Sequence, residues 1–445
     1  MYQNILDLPR DLGEGLVLRW ATEADAEPLA HFNGIILEDE TDSPGCVTNW
    51  TRNLLNGLHP TYRASDFLVV VDQKAGGKIV STMGLLSQVW SYDGIPFKMG
   101  QPELVATDPA YRRKGLITTQ FQVIHALSAV RGEILQGITG IPWYYRQFGY
   151  EMTLGLDGAR WLYWGNVGKL GKDEQEIYQI RLANQNDISL IAQLYEQHCA
   201  SSLIKRLRTE EEWKYALHHP CPEAVGYKQY YLIETLAGEP VGYVEYTPST
   251  LFKRFNCREL AVLPGYSLRQ VAEFLLRHLK AEAEELSKDQ AVPYSCLSFN
   301  FGEAHPLYEA LGQQLERQIK PYTWYLRVPD LPAFIRQIAP VLEKRLRGSP
   351  MEGYSGSLKL NFYRYQLALH FDKGELTEIG TFEPDKLQGG DALFPNLTFL
   401  HLLFGHRTLE ELNHIYPDCQ ASSERTKILL AVLFPKQASQ VVLLN

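Results

Sequence analysis

Cysteine is scarce: six in 445 residues, at Cys46, Cys199, Cys221, Cys257, Cys296 and Cys419, are too scattered for a disulfide scaffold, and no two stand at CxxC spacing. Long apolar runs are missing as well. The longest uninterrupted one is Ile428–Phe434, far short of the roughly 18 residues a membrane span requires. The opening residues, MYQNILDLPRDLG, lack the basic, apolar and small-residue order of a secretory signal. Positive charge is in deficit, with 43 Lys and Arg against 52 Asp and Glu, so the net charge of −9 repels polyanions, and no convincing basic patch offsets it. Neither the phosphate-binding GxxxxGK motif nor GxGxxG occurs, which disfavours a nucleoside triphosphatase and a Rossmann dehydrogenase. The adjacent His218 and His219 would diverge by about 100° on a helix and could not chelate one metal. These absences set the expectation of a cytoplasmic protein with no metal and with neither membrane nor nucleic acid as partner.

What is present is an ordinary globular balance, 45% apolar and 21% charged residues, which excludes a disordered chain. At about 150 residues per domain the length predicts three domains. The first two are copies. Leu18-Arg19-Trp20-Ala21 leads to Asp25 and a helical pattern through Leu29, Phe32 and Ile36; Ile180-Arg181-Leu182-Ala183 leads at the same spacing to Asp187, Ile191 and Leu194. Each reads as a strand, an Asp N-cap and an amphipathic helix. Tyr145 precedes Gly149 as Tyr308 precedes Gly312, and Glu103-Leu104 matches Glu259-Leu260, all at offsets of about 160 residues. The Gly-rich, charged stretch Trp164–Glu176 and the Pro-containing stretch Val328–Pro332 mark the breaks, which predicts domains at 1–163, 177–327 and 330–445. The third begins with one helix over Ala333–Arg347, alternates like strands over Leu358–Tyr363, Gln366–Phe371 and Thr377–Gly380, and ends in helical or buried segments. The fold class is α/β with an α+β third domain.

Chemistry is concentrated in the first copy. Strands over Phe67–Val71, Ile79–Leu86 and Lys98–Thr107 lead into Asp108-Pro109-Ala110-Tyr111-Arg112-Arg113-Lys114-Gly115, and a helix follows with Ile117, Phe121, Ile124 and Leu127 on one face. A glycine and three cations therefore sit where a strand hands over to a helix N-terminus. Free backbone N–H groups and the positive helix end favour an anion there, and a diphosphate is the natural guest.

This order of parts, with Val105-Ala106-Thr107, Tyr111 to Ile117 and Tyr145-xxx-Gly149-Tyr150, resembles the GNAT superfamily of acyl-CoA-dependent N-acetyltransferases. The closer resemblance is to the branch of the mycobacterial enhanced intracellular survival protein, in which two GNAT domains precede a sterol-carrier-protein-like domain. Asp391–Pro395, Leu402–Leu412 and Leu433–Lys436 carry that likeness in the third domain. The resemblance implies acetyl-CoA as co-substrate, and an amine-bearing small molecule or a protein lysine as acceptor. It places the pantetheine arm on Val105, Ala106 and Thr107, the pyrophosphate on Arg112, Arg113, Lys114, Gly115, Leu116 and Ile117, and further cofactor contacts at Gly140 and Ile141. Ile117 stands where the family's loop usually has Gly or Ala.

By the same resemblance Tyr145 is the acid that protonates the departing thiolate, with Tyr144 and Tyr150 as neighbouring candidates, and the carboxylate of Asn445 is the base. The acidic run Glu38-Asp39-Glu40-Thr41-Asp42 is a candidate attractor of a polycationic acceptor, and His125 reads as a packed residue. The second copy carries Gly265 after Pro264 with no cations before it, so it is expected to be degenerate. The branch assembles as hexamers, which implies a homo-oligomer. A non-catalytic acyl-CoA or lipid binder is the competing reading.

Overall fold

Seven strands of the first copy follow one another as β1 (Arg10–Gly13), β2 (Leu16–Trp20), β3 (Phe67–Asp72), β4 (Lys78–Tyr92), β5 (Ile95–Thr107), β6 (Leu135–Ile138) and β7 (Glu151–Leu156). These elements come from a computed structural model, which describes every residue except 1–2, 40–43, 58, 219–220, 222–223, 226, 440 and 442–445. Phe67 to Val71 is an unbroken buried run, as expected of a strand covered on both faces. Helices α2 (Ala26–Leu37) and α3 (Cys46–Leu55) pack on one face around Leu54, Phe67, Leu86 and Leu104; after the short α1 (Gln3–Leu6) in the chain, α4 (Leu116–Val130) covers the other, around Phe121, Ile124, Val70 and Leu85. The long β4–β5 hairpin turns at Asp93-Gly94, both at positive φ, as a two-residue hairpin loop prefers.

The first segment ends with β8 (Ala159–Tyr163), and the second copy supplies β9 (Tyr178–Leu182), β10 (Ile204–Leu207), β11 (Tyr230–Thr235), β12 (Pro240–Ser249), β13 (Arg254–Val262), β14 (Cys296–Phe299), β15 (Arg317–Ile319) and β16 (Tyr322–Arg327), with α5 (Ile188–His198), α6 (Glu210–Leu217) and α7 (Leu268–Ser287). The repeated Arg and Asp do more than cap a helix. Arg19 grips Asp25 through two bonds of 2.7 and 2.8 Å, and Arg181 grips Asp187 in the same fork. Each Asp stands at the N-cap position of its helix, as expected, but its side chain bonds back to a short 3-10 turn started by Thr22 or Asn184, of which it is the third residue, and not to the helix amides.

The sheets do not divide where the sequence segments do. β16 lies between β6 and β7 of the first sheet, and β8 lies between β14 and β15 of the second, so the copies exchange their last strands. The residues fit both sides of the slot. Trp324 and Leu326 join one core with Met99 and Leu154, while Tyr325 joins the core of α4 and Tyr145. Gly137 on β6 permits the close approach, since a Cβ there would stand 2.5 Å from Met99 and 3.2 Å from Leu326. β10 adds a further crossing by pairing with the far half of β4, Ile204 opposite Tyr92 and Leu207 opposite Val89.

The third sheet has the order β19-β18-β17-β20-β21, from β17 (Gly356–Asn361), β18 (Gln366–Asp372), β19 (Glu375–Gly380), β20 (Ala392–Leu393) and β21 (Gln420–Ala421). The single helix expected over Ala333–Arg347 is two, Leu331–Gln337 and Ala339–Leu346, because Pro340 has no N–H to continue the ladder. The tail beyond Phe434 runs alongside the second copy. Leu203 donates its N–H to the Ala438 carbonyl, and Ile204 donates to the Ser439 hydroxyl, so Ala438 and Ser439 lie against the start of β10.

Candidate active site

β5 and β6 run parallel but pair only through Met99 with Leu135 and Gly100 with Gln136. Beyond those two residues the strands separate, and the edge of β5 from Gln101 to Thr107 has no strand partner on that side. A bulge sharpens the divergence. Leu104 is at φ 53°, and between the Thr82–Ala106 and Gly84–Glu103 pairs β5 carries one residue more than β4. Val105, Ala106 and Thr107 therefore lie on an edge able to pair with an extended, amide-bearing ligand. Ser81 fixes that edge from the β4 side, with its hydroxyl 2.9 Å from the Ala106 carbonyl and 2.8 Å from the Thr107 hydroxyl.

The α4 N-terminus closes one end of the opening. Gly115 occupies the N-cap at φ 75° and no side chain caps the turn, so the first amides of Leu116 and Ile117 keep their donors. Arg113 is also left-handed, at φ 64°. The loop is pinned from behind: Asp108 accepts from Lys78 at 2.7 Å and from the Ala110 N–H, and Tyr111 donates to Asp72 at 2.7 Å. Of the three cations expected to serve an anion, Lys114 is already paired with Glu14 at 2.6 Å. Arg112 and Arg113 are exposed and form no ion pair among the described residues. In the second copy the corresponding helix α7 is capped by its own Ser267, whose hydroxyl accepts the Gln270 N–H. That N-terminus offers an anion less.

Tyr145 is buried in the turn after β6, against Phe121, Tyr144, Tyr150 and Tyr325. Burial first, and the Glu103 charge second, hold its phenol well above the ordinary tyrosine range. Its hydroxyl makes no hydrogen bond among the described residues. The neighbouring candidates differ in this respect. The Tyr150 hydroxyl is bonded to His125 Nε2 at 2.9 Å, and burial drops His125 to about 3, so the imidazole is neutral and packed. Tyr144 is half-buried at the edge of the cluster. Tyr308, the counterpart in the second copy, spends its hydroxyl on the Phe299 and Gly302 carbonyls and the Phe301 N–H. Tyr325, delivered by the exchanged strand, receives the Trp143 N–H at 2.5 Å and braces the loop that contains Gly140 and Ile141.

Sequence reasoning used Glu103 only as a repeat marker, yet it is a titratable group on the stretch of β5 that β6 leaves unpaired, and its charge reaches Tyr145. It stands on β5 opposite Gly84, on the α2–α3 face. Burial lifts its carboxyl to about 7, partly offset by the Gln101 amide and the Leu104 N–H. Tyr62 sits over Gly84, where a Cβ would be 2.0 Å from its hydroxyl, and that hydroxyl is buried with no hydrogen-bond partner. In the second copy the equivalent Glu259 is instead neutralised. Arg208 grips it at 2.6 Å, Lys228 lies at 3.9 Å, and these cations hold it below the usual carboxylate range despite complete burial.

The acidic run contributes less than its charge suggested. Glu38 accepts N–H bonds from Gly45, Val47 and Thr48 and so caps α3. Glu40, Thr41 and Asp42 lie outside the described residues, as do His219 and the terminal Asn445. No group of three or more potential metal ligands occurs among the described residues, and no helix among them is long and apolar enough to cross a membrane.

Residues 40–153 match the family model of the acetyltransferase (GNAT) domain. No curated protein matches the chain. Among solved structures, a conserved protein of unknown function from Enterococcus faecalis, described as a probable N-acyltransferase, superposes with a TM-score of 0.68 at 13% identity, covering 97% of this chain and all of that one. A GCN5-related N-acetyltransferase from Kribbella flavida gives 0.65 at 18% identity over 96% and 97% of the two chains. Eis1 from Mycobacterium abscessus gives 0.59 at 14% identity over 95% and 98%. At these identities the likeness is one of fold, and it extends over nearly the whole chain.

Proposed function

We propose, from the match of residues 40–153 to the acetyltransferase (GNAT) domain and from a fold shared with N-acetyltransferase structures along almost the full length, that the chain transfers acetyl from acetyl-CoA to a primary amine at the opening between β5 and β6. The observation that carries this reading is the convergence on one opening of a free strand edge, an uncapped helix N-terminus with two arginines in no ion pair, and a half-buried carboxyl near neutrality. The free edge of Val105 to Thr107 suits the amides of a pantetheine arm, and the Gly115–Ile117 amides with Arg112 and Arg113 suit a pyrophosphate.

Acetyl-CoA supplies an activated acyl group and a thiolate leaving group. The protein's share is proton management. An alkyl ammonium with a pKa near ~10 must lose a proton before it attacks. A carboxyl at about 7 is half ionised at neutral pH and accepts that proton, directly or through one water. As the C–N bond forms and the C–S bond breaks, the Tyr145 phenol, kept protonated by its burial, donates to the departing sulfur. Glu103 is thus our candidate base. The Asn445 carboxylate is the second candidate, supported by the tail's contact with the start of β10. The third domain serves in this reading as a sterol-carrier-like scaffold that leads the tail there.

The test is release of free CoA thiol from acetyl-CoA with a panel of polyamines, aminoglycosides and lysine peptides. Loss of turnover in Glu103→Gln with retention in a chain lacking Leu444 and Asn445 assigns the base to Glu103; the opposite pair of results assigns it to the terminus. No acetyl-CoA binding at all would overturn the function.

A further inference from the structure

A row of polar side chains crosses the otherwise apolar α2–α3 face of the β4–β5 hairpin and ends on Glu103. Trp90 donates its indole N–H to Gln88 Oε1 at 2.8 Å, Gln88 Nε2 donates to Gln101 Oε1 at 2.6 Å, and Gln101 Nε2 donates to Glu103 Oε2 at 2.6 Å. The strand register makes the row possible. Gln88 faces Met99 and Gln101 faces Leu86, which puts the two amides diagonally adjacent on one face. Trp90 is fully buried, Gln88 is 5% exposed and Gln101 is 1% exposed, so the first two bonds are made away from solvent, and the third ends on the half-buried Glu103.

Chemistry fixes the direction of the row. An indole N–H can only donate, so Gln88 must present its carbonyl to Trp90 and its NH2 to Gln101. Gln101 must then present its own NH2 to Glu103. A carboxylate, which only accepts, completes the sequence. Reversing either amide would set two donors or two acceptors face to face in a buried site, at a cost of about 1–3 kcal/mol for each unsatisfied group. Trp90 is itself fixed by a T-shaped contact with Trp324, centroids 5.5 Å apart, on the strand received from the second copy. At the far end one oxygen is held by Gln101. No side-chain donor reaches Oε1 of Glu103 among the described residues.

We propose that Trp90, Gln88 and Gln101 form a one-way hydrogen-bond relay that holds Oε2 of Glu103 and sends no side-chain donor to Oε1, the oxygen that takes the proton, making Gln101 and Gln88 positioning residues for acyl transfer. The proposal rests on the reading of Glu103 as the base. A relay that always delivers a donor favours the ionised carboxyl and opposes the effect of burial, which keeps the group usable near neutral pH.

The experiment uses the full chain with Gln101→Met and Gln88→Met, substitutions of similar volume, beside Glu103→Gln. The first readout needs no acceptor: infrared difference spectra follow the carboxylic-acid C=O stretch that Glu103→Gln removes, as a function of pH. The second is the pH profile of kcat/KM, with KM for acetyl-CoA measured separately. One hydrogen bond to a charged group corresponds to about one to two pH units, so Gln101→Met should raise the midpoint by that amount. Gln88→Met should raise it less, the double variant should match Gln101→Met, and KM for acetyl-CoA should stay unchanged. Should Gln101→Met fail to fold, Gln88→Met carries the test, since it does not touch Glu103. A midpoint unmoved in the folded variants overturns the relay. A pH profile and turnover that survive intact in Glu103→Gln overturn the base assignment instead, so the two failures are distinguishable.

Discussion

Replacing Glu103 by Gln separates what its burial does for catalysis from what it does to stability. Burial moves the carboxyl from 4.5 to about 7. If the ionised form takes the proton, the rate follows its population: about one tenth at pH 6, half at pH 7 and nine tenths at pH 8. The acidic limb of kcat/KM should therefore have its midpoint near 7, and Glu103→Gln should abolish that limb and lower the plateau by about 10²–10⁴-fold, the usual worth of a general base.

The linkage has a definite sign. A carboxyl whose folded pKa is raised holds a proton in the native state that the unfolded chain has already released. Its contribution is most favourable below the unfolded value of about 4.5 and is lost as pH rises through 7. The displacement corresponds to about 3 kcal/mol at most, reached above pH 7. Urea midpoints should show Glu103→Gln gaining on the parent chain between pH 5 and pH 8. A pH-independent difference, or a limb centred near 4.5, would refute the buried-base argument.

Tyr145→Phe should cut kcat by about 10²-fold with little change in acetyl-CoA affinity, measured by thiol release and calorimetry; equal turnover would remove the residue from the mechanism. Arg112→Ala combined with Arg113→Ala should raise the Kd for acetyl-CoA about tenfold and flatten its dependence on salt, whereas Lys114→Ala, already paired with Glu14, should change it little. Calorimetric titration should find one acetyl-CoA per chain, because α7 is capped by Ser267 and Tyr308 has no free hydroxyl; two sites would contradict the account of the second copy.

Much of the first domain was legible because its signals are local. The strand–turn–strand of Phe67 to Leu86, the Tyr92-Asp93-Gly94 turn and the glycine before α4 depend on neighbours in sequence, and each is found where the pattern put it. The strand exchange was not. Residues 159–163 and 322–327 were not singled out as strands, and period alone cannot say which sheet receives a strand; here each joins the other copy's. Glu103 escaped for a related reason. A carboxylate among alternating residues reads as a solvated position, and only the packing of Tyr62 and Gln101 around it makes it a half-buried acid. The break at Pro340 was visible in the residue itself, yet the apolar period ran through it.

The two copies show how one position can hold opposite chemistry. Glu103 and Glu259 occupy matching places, each beside a bulge that adds one residue to its own strand, Glu103 half-buried opposite Gly84 and Glu259 buried opposite Glu245. Around Glu103 the donors are neutral amides, so burial prevails and the carboxyl rises. Around Glu259 two cations stand within 4 Å, Tyr230 and Tyr243 add hydroxyl bonds, and the carboxylate stays charged but spent. A buried pair of that kind is costly to break and adds little that an apolar replacement would not. In the second copy the corresponding groups already have partners: a paired carboxylate, a capped helix and a satisfied tyrosine. What that copy still provides is mechanical. It places Tyr325 against Tyr145 and Trp324 against Trp90, so the geometry of the first opening depends on a strand encoded about 180 residues or more downstream of it.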